Sequence, residues 1–199
     1  MSVVVAIKDD DRVWMACDSQ VSHGWSTKAT LTNPNNYKIV RPEKDKQTLV
    51  GVVGDLKLQN IIKVQDEFVD ELTRLKNEFN FKYVVNTIVP KVFKLAHDNQ
   101  LVEKVKDQQT FYFNGGLTFA HKDKLFVISS DGCVVEVDDY CADGSGFRLA
   151  LGYLNQHADE NKKDAIVKAV KSACETDMFV NYPIILMNTM DEEVVVIGK

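Results

Sequence analysis

Apolar and β-branched residues run almost unbroken from Ser2 to Ile7, the pattern of a strand buried on both faces. Asp9-Asp10-Asp11 predicts a turn, and Arg12 to Cys17 a returning second strand. Polar residues from Ser19 to Asn36 predict an irregular connection. Tyr37 to Val40 and Thr48 to Val53 predict a strand pair around the polar stretch Pro42 to Gln47. The period then changes. Leu58, Ile61, Ile62, Phe68, Val69, Leu72, Leu75 and Phe79 follow helical spacing, with Asp55 placed to cap the start. Val84, Val85, Ile88, Val92, Leu95 and Ala96 form the apolar face of a second helix, which Pro90 is expected to kink or to start.

Strand patterns resume at Thr110 to Phe113, Leu117 to His121, Leu125 to Ser129 and Val134 to Val137, with Gly115-Gly116 and Asp131-Gly132 as expected tight turns. Ser145 to His157 and Lys163 to Phe179 read as helices, and Pro183 to Met187 and Glu193 to Ile197 as closing strands. No stretch has linker composition and no internal repeat is present, so one domain over residues 1–199 is expected. Helix pairs inserted between runs of strands do not make a parallel βαβ fold. They predict an α+β fold of two antiparallel sheets packed together, with helix pairs on the outer faces.

Composition narrows the chemistry. The 199 residues are 45% hydrophobic and 27% charged, ordinary globular values. The net charge of −5 and the lack of a basic cluster argue against a nucleic-acid surface. Apolar runs are too short to span a membrane, and the first residues lack the basic start and cleavage site of a signal peptide. Cys17, Cys133, Cys141 and Cys174 show no CxxC spacing, which favours idle thiols in a reducing, cytoplasmic setting over a disulfide framework. His23, His97, His121 and His157 never fall at metal-binding spacing. The aspartate runs lack calcium-loop spacing, and neither a phosphate-binding GxxxxGK[ST] loop nor a Gly-x-Ser-x-Gly elbow occurs.

One arrangement remains, and it starts at residue 2. Initiator methionine is normally removed before a residue as small as Ser2, which would leave a serine with a free α-amine at the head of a buried strand. An α-amine has a pKa of about 7.7–8.0, so a useful fraction is neutral near pH 7. One residue could then supply both nucleophile and general base. Downstream, Ala16-Cys17-Asp18-Ser19-Gln20 ends a strand with a carboxylate, Asn36-Tyr37-Lys38-Ile39-Val40 opens one with an ammonium, and Val50-Gly51-Val52-Val53-Gly54-Asp55 ends one with glycine before a helix.

In these motifs, and in Asp143-Gly144-Ser145-Gly146 followed by an apolar helix, the chain resembles the proteasome β-type peptidases, particularly the HslV-like branch of the N-terminal nucleophile hydrolases. The resemblance covers the whole chain in element order. It implies a four-layer αββα sandwich and assigns roles position by position. Ser2 matches the nucleophile, usually threonine. Asp18 matches the carboxylate that pairs with the lysine matched by Lys38, whose charge lowers the hydroxyl and amine pKa. Gly54 matches the glycine whose N–H forms the oxyanion hole. Ser145 matches the serine that hydrogen-bonds the terminal amine. Asp177 lies near the family's supporting residue and a monovalent cation sometimes held there by carbonyls; no other cofactor is implied.

The resemblance further implies a homo-oligomeric ring or double ring, polypeptide substrates and a separate AAA+ ATPase partner, since this chain carries no nucleotide motif. Two departures stand out. Serine lacks the methyl group that helps hold threonine in one rotamer, so slower turnover is expected. The stretch between Asp18 and Lys38, which includes Trp25, Thr30, Pro34 and Asn35, is a few residues longer than usual and falls where the family lines its substrate pocket. A retained Met1 would acylate the Ser2 amine and favour a catalytically inactive ring or scaffold subunit. A small-molecule amidase of the same superfamily is disfavoured, because such enzymes are usually longer.

Overall fold

The computed structural model describes residues 2–23, 27–42, 45–64, 79–104 and 111–199. Among the described residues, fourteen strands form two five-stranded antiparallel sheets and two small ribbons. The first sheet has the order β12-β1-β2-β13-β14, built from Tyr140–Gly144, Val3–Asp9, Arg12–Cys17, Ile184–Asn188 and Val195–Ile197. The second has the order β11-β10-β9-β6-β5, built from Val134–Glu136, Lys124–Ile128, Gly115–His121, Thr48–Gly54 and Ile39–Val40. The ribbons pair β3 (Gln20–His23) with β4 (Thr27–Thr30), and β7 (Val102–Lys104) with β8 (Phe111–Phe113).

The alternation along β1 explains the layering. Val3, Val5 and Ile7 pack against α4 (Phe147–His157) and α5 (Lys162–Thr176), alongside Ala150, Leu154, Ile166 and Val170. Val4 and Ala6 point the other way, into a core between the sheets with Met15, Leu49, Ala120 and Leu125. Every residue from Val3 to Ile7 has no exposed surface, so each valine or isoleucine there contributes about 1.5–3 kcal/mol of apolar burial. On the far face of the second sheet, α1 (Leu56–Val64), α2 (Phe81–Tyr83), the π-helical stretch Val84–Ile88 and α3 (Val89–Asp98) bury Leu58, Ile62, Tyr83, Val84, Ile88 and Val92 against Val50, Val52, Phe119 and Phe126. The result is the helix–sheet–sheet–helix stack that the element order predicts.

Several local expectations need correction. The polar connection after Ser19 contains the β3–β4 ribbon; all four residues of β4 are exposed, so it carries no apolar signal. Strand β12, absent from the sequence reading, is half-buried along its whole length and so shows no alternation. Gly115 and Gly116 are not a turn but open β9, paired with Gly54 and Val53; a Cβ on Gly115 would lie 2.3 Å from the Val53 carbonyl oxygen. The turn between β9 and β10 falls at Lys122-Asp123, with Lys122 at φ +52°.

Asp55 caps α1 as expected, its Oδ1 accepting from the Lys57 N–H at 2.8 Å. Pro90 marks the start of an α-helix, the second of the two outcomes expected for it. It sits in the first turn of α3, after a π-helical stretch Val84–Ile88 in which Val89 N–H donates to Val84 O five residues back. The wider turn accommodates a residue with no N–H to give and a ring that would crowd an α-helical carbonyl. Val85 falls on the exposed side of that stretch, off the apolar face expected for it. The expected first helix beyond Val64, over 65–78, and Trp25 lie outside the described residues.

Candidate active site

The β1–β2 hairpin brings the first two site residues together. Its register pairs Val4 with Cys17, so Val3 faces Asp18, and Val3 N–H donates to Asp18 Oδ1 at 2.9 Å. Ser2, one residue earlier, is 3% exposed. Lys38 comes from the other sheet, immediately before β5, and is anchored there by Val52 N–H donating to its carbonyl at 2.9 Å. Its ammonium reaches across to Asp18 Oδ1 at 2.6 Å and also donates to the Gln20 carbonyl at 2.7 Å. Both members of this pair are buried.

Asp18 is saturated. Besides Lys38 and Val3 it accepts from Gln20 N–H at 2.9 Å and Asn181 N–H at 3.3 Å. Four donors match the four lone-pair sites of a carboxylate, which holds the side chain in one orientation. Gln20 lay within the motif quoted around Asp18, but its part in gripping Lys38 is made by the backbone and so leaves no signature of residue type. Asn181 lies in the loop after α5, and nothing in the local sequence points to it.

Strand β12 supplies the opposite wall. It pairs Val3 with Gly144, and Gly144 has φ +93° with space for no side chain: a Cβ there would lie 2.2 Å from the Ser2 carbonyl oxygen. Ser145 Oγ and Gly146 N–H both donate to that same carbonyl at 3.3 Å. Ser145 therefore contacts Ser2 through its carbonyl oxygen, and Gly146 occupies the N-cap position of α4.

Gly54 ends β6 at φ +99°, pressed against the backbone of Asn114 and Gly115. With Ser2 it borders two cavities. One, of about 260 Å³, is shared with Lys38, Gln20, Val52 and Gln59. The other, of about 510 Å³, is shared with Gly115, Asp143, Gly144 and Phe147. Ser2 thus sits where two cavities meet, with the Asp18–Lys38 pair on one side and Gly144 of β12 on the other.

Asp177 is the C-cap of α5; its Oδ1 accepts from Phe179 N–H at 2.8 Å and its carbonyl from Val180 N–H at 3.1 Å. It orders the loop whose Asn181 N–H reaches Asp18 and whose Met178 carbonyl accepts from Gln20. Ser2, Asp18, Lys38, Gly54 and Ser145 are gathered into one place; Asp177 stands behind them.

The neighbouring thiols are poor competitors as nucleophiles. Burial pushes both Cys17 and Cys174 up to about 12. Among the described residues no three His, Cys, Asp or Glu side chains gather to hold a metal, and no helix is long and apolar enough to cross a membrane.

Comparison with known proteins bears on the fold and the family. The chain is 29% identical over 195 residues to a proteasome subunit beta of Nanoarchaeum equitans, covering 92% of this chain and 90% of that protein. BPH of Thiobacillus denitrificans shares the fold with a TM-score of 0.72 at 18% identity, over 94% of this chain and 96% of that one. A second BPH structure, in complex with epoxomicin, superposes with a TM-score of 0.69 at 18% identity, over 99% of this chain and 100% of that one. HslV of Trypanosoma brucei gives a TM-score of 0.63 at 19% identity, over 94% of this chain and 98% of that one. The αββα stack is therefore the fold of the N-terminal nucleophile hydrolases. Residues 2–186 match the proteasome subunit family, and the chain belongs to that family.

Proposed function

We propose that the chain is a peptidase subunit that hydrolyses peptide bonds with Ser2 once Met1 has been removed. The observation that carries this reading is a single cavity bordered by Ser2, Lys38 and Gly54, with Lys38 held in place by Asp18. Membership of the proteasome subunit family supports it, as does the epoxomicin bound by the similar BPH.

In this mechanism Ser2 Oγ attacks the scissile carbonyl carbon and passes its proton to its own α-amine. The Gly54 N–H stabilises the oxyanion. Collapse breaks the carbon–nitrogen bond, and the α-ammonium returns the proton to the leaving amine, which leaves an acyl ester on Oγ. The amine then deprotonates a water that attacks the ester, releasing the carboxylic acid and restoring the hydroxyl. An ammonium has three donors. Lys38 gives two to Asp18 and Gln20, and in this mechanism its charge and its third donor serve the nucleophile with which it shares the cavity. Ser145 and Gly146 hold the Ser2 carbonyl, against which Gly144 leaves room, so that the hydroxyl keeps its aim. The subunits assemble into a closed homo-oligomeric ring that confines a polypeptide substrate, served by a separate ATPase.

Mass spectrometry of protein made in its native host, treated with a peptide epoxyketone, tests this directly. Loss of Met1 with an adduct on Ser2 is expected. Ser2→Ala is expected to lower hydrolysis of fluorogenic peptides by at least about 10⁴-fold while native mass spectrometry shows the same oligomer. Activity persisting in Ser2→Ala, or an intact Met1 with no adduct, overturns the reading.

A further inference from the structure

We infer that the smaller cavity beside Ser2 selects a lysine or arginine side chain on the acyl side of the scissile bond; this deepens, and rests on, the peptidase reading above. The argument is an inventory of hydrogen-bonding groups. Two buried amides line the cavity, Gln20 and Gln59, each 2% exposed. Both are oriented by what they donate. Gln20 Nε2 donates to the Met178 carbonyl at 2.9 Å and to Ser22 Oγ at 3.0 Å, and Gln59 Nε2 donates to the Tyr37 carbonyl. A backbone carbonyl only accepts, so neither amide can be turned round. Each must offer its oxygen elsewhere. Gln20 Oε1 is buried and has no hydrogen-bond partner among the described residues.

A third acceptor is the Asp55 carboxylate on the cavity wall, of which Oδ1 takes the Lys57 N–H. Against these acceptors the cavity sets one cation, Lys38, and that ammonium is neutralised by Asp18 at 2.6 Å and donates again to the Gln20 carbonyl. Asp18 and Lys38 cancel, and with the Ser2 amine in the neutral form that acts as base, Asp55 leaves the lining with a net negative charge. Val21, Val52 and Leu56 supply apolar walls.

An apolar wall with an unmet acceptor and a carboxylate fits a side chain with an aliphatic stem and a donor-rich cationic tip. A leucine or phenylalanine in the same place would bring no donor to Gln20 Oε1 or to the Asp55 carboxylate. The acyl side follows from the reaction. The acyl residue stays attached to Ser2 through both half-reactions, whereas the amine must leave. The smaller cavity suits the residue that is retained, and the larger one, bordered by Gly115, Gly144 and Phe147, suits the group that departs.

Processed protein assayed with peptidyl aminomethylcoumarins that differ only in the residue before the coumarin tests the inference. Arginine or lysine is expected to give kcat/KM at least about tenfold above norleucine and above citrulline, which keeps the shape but loses the charge. Asp55→Asn and Gln59→Leu are each expected to reduce the arginine-to-norleucine ratio several-fold. Matching peptide epoxyketones, read as the rate of adduct formation on Ser2, give the same ranking without requiring turnover. Faster hydrolysis or labelling with leucine, norleucine or phenylalanine overturns the selectivity and leaves the peptidase reading standing. An unchanged ratio in a folded Asp55→Asn variant also overturns it. No hydrolysis of any substrate, with Ser2 unlabelled by every epoxyketone, overturns both.

Discussion

Breaking the Asp18–Lys38 pair from either side is expected to destabilise the protein by unequal amounts, and the inequality follows from the partners of each residue. The two charges lie 2.6 Å apart and are buried. With an effective dielectric constant of about 20, their attraction is roughly 6 kcal/mol, most of it offset by the desolvation of two ions. Removing one partner leaves the other charge buried and uncompensated, a loss of about 3–5 kcal/mol. Lys38→Met leaves Asp18 with three backbone N–H donors, from Val3, Gln20 and Asn181, and belongs at the lower end. Asp18→Asn belongs at the upper end. All four partners of Asp18 are donors, two on each oxygen, so an amide would aim its own NH₂ at two of them whichever way it turned. Lys38 would meanwhile keep only neutral acceptors, the Gln20 carbonyl and at best the amide oxygen, with no charge to balance its own. The double variant is expected to cost at least about 2 kcal/mol less than the sum of the singles. Urea unfolding followed by far-ultraviolet circular dichroism, at pH 7 and one fixed protomer concentration, measures all four proteins. A coupling below about 0.5 kcal/mol, or a Lys38→Met variant less stable than Asp18→Asn, refutes the reasoning.

Much of the site was legible because its residues sit at the ends of strands with strong patterns. Val3 to Ile7 and Thr48 to Gly54 are apolar on both faces, so their termini, Ser2 and Gly54, can be located from the pattern alone. Lys38 and Asp18 are also strand-end residues, and their resemblance to a known motif gave them partners before any contact was visible. What escaped was set by long-range backbone geometry. β12 is a half-buried edge strand ending in Asp143-Gly144, residues with little strand propensity, yet it brings Gly144, Ser145 and Gly146 to the Ser2 carbonyl. Gly115-Gly116 has the composition of a turn, and only the approach of β6 to β9 makes glycine necessary inside a strand there. Asn181 acts through its N–H, which every residue except proline possesses, so no side-chain pattern could single it out.

Two glycines and one buried aspartate provide further tests. Gly144→Ala would place a methyl group against the Ser2 carbonyl at positive φ, and is expected to cost at least about 1 kcal/mol and to lower peptidase activity. Gly152→Ala, in the middle of α4 with nothing within 4 Å, is expected to gain about 0.5–1 kcal/mol; thermal melts that rank these two in the opposite order refute the account of β12. Asp45 lies at the end of the second sheet remote from Ser2, where its Oδ2 accepts from Thr48 Oγ1 at 2.6 Å and stands 3.4 Å from His121 Nδ1. Burial alone would raise its pKa, but hydrogen bonds from His121 and Thr48 outweigh that and hold the carboxyl below the usual 3.8. A carboxyl with a depressed pKa in the folded state contributes stability that is present above the unfolded value and lost as the pH falls through the folded one. Asp45→Asn is therefore expected to melt about 2–5 °C below the wild type at pH 6. That gap should narrow as the pH is lowered from about 5 to below 3.8, the range in which the carboxyl takes up its proton. A gap that stays constant or widens over that range would show that the Asp45 carboxylate is not what the Thr48–His121 cluster stabilises.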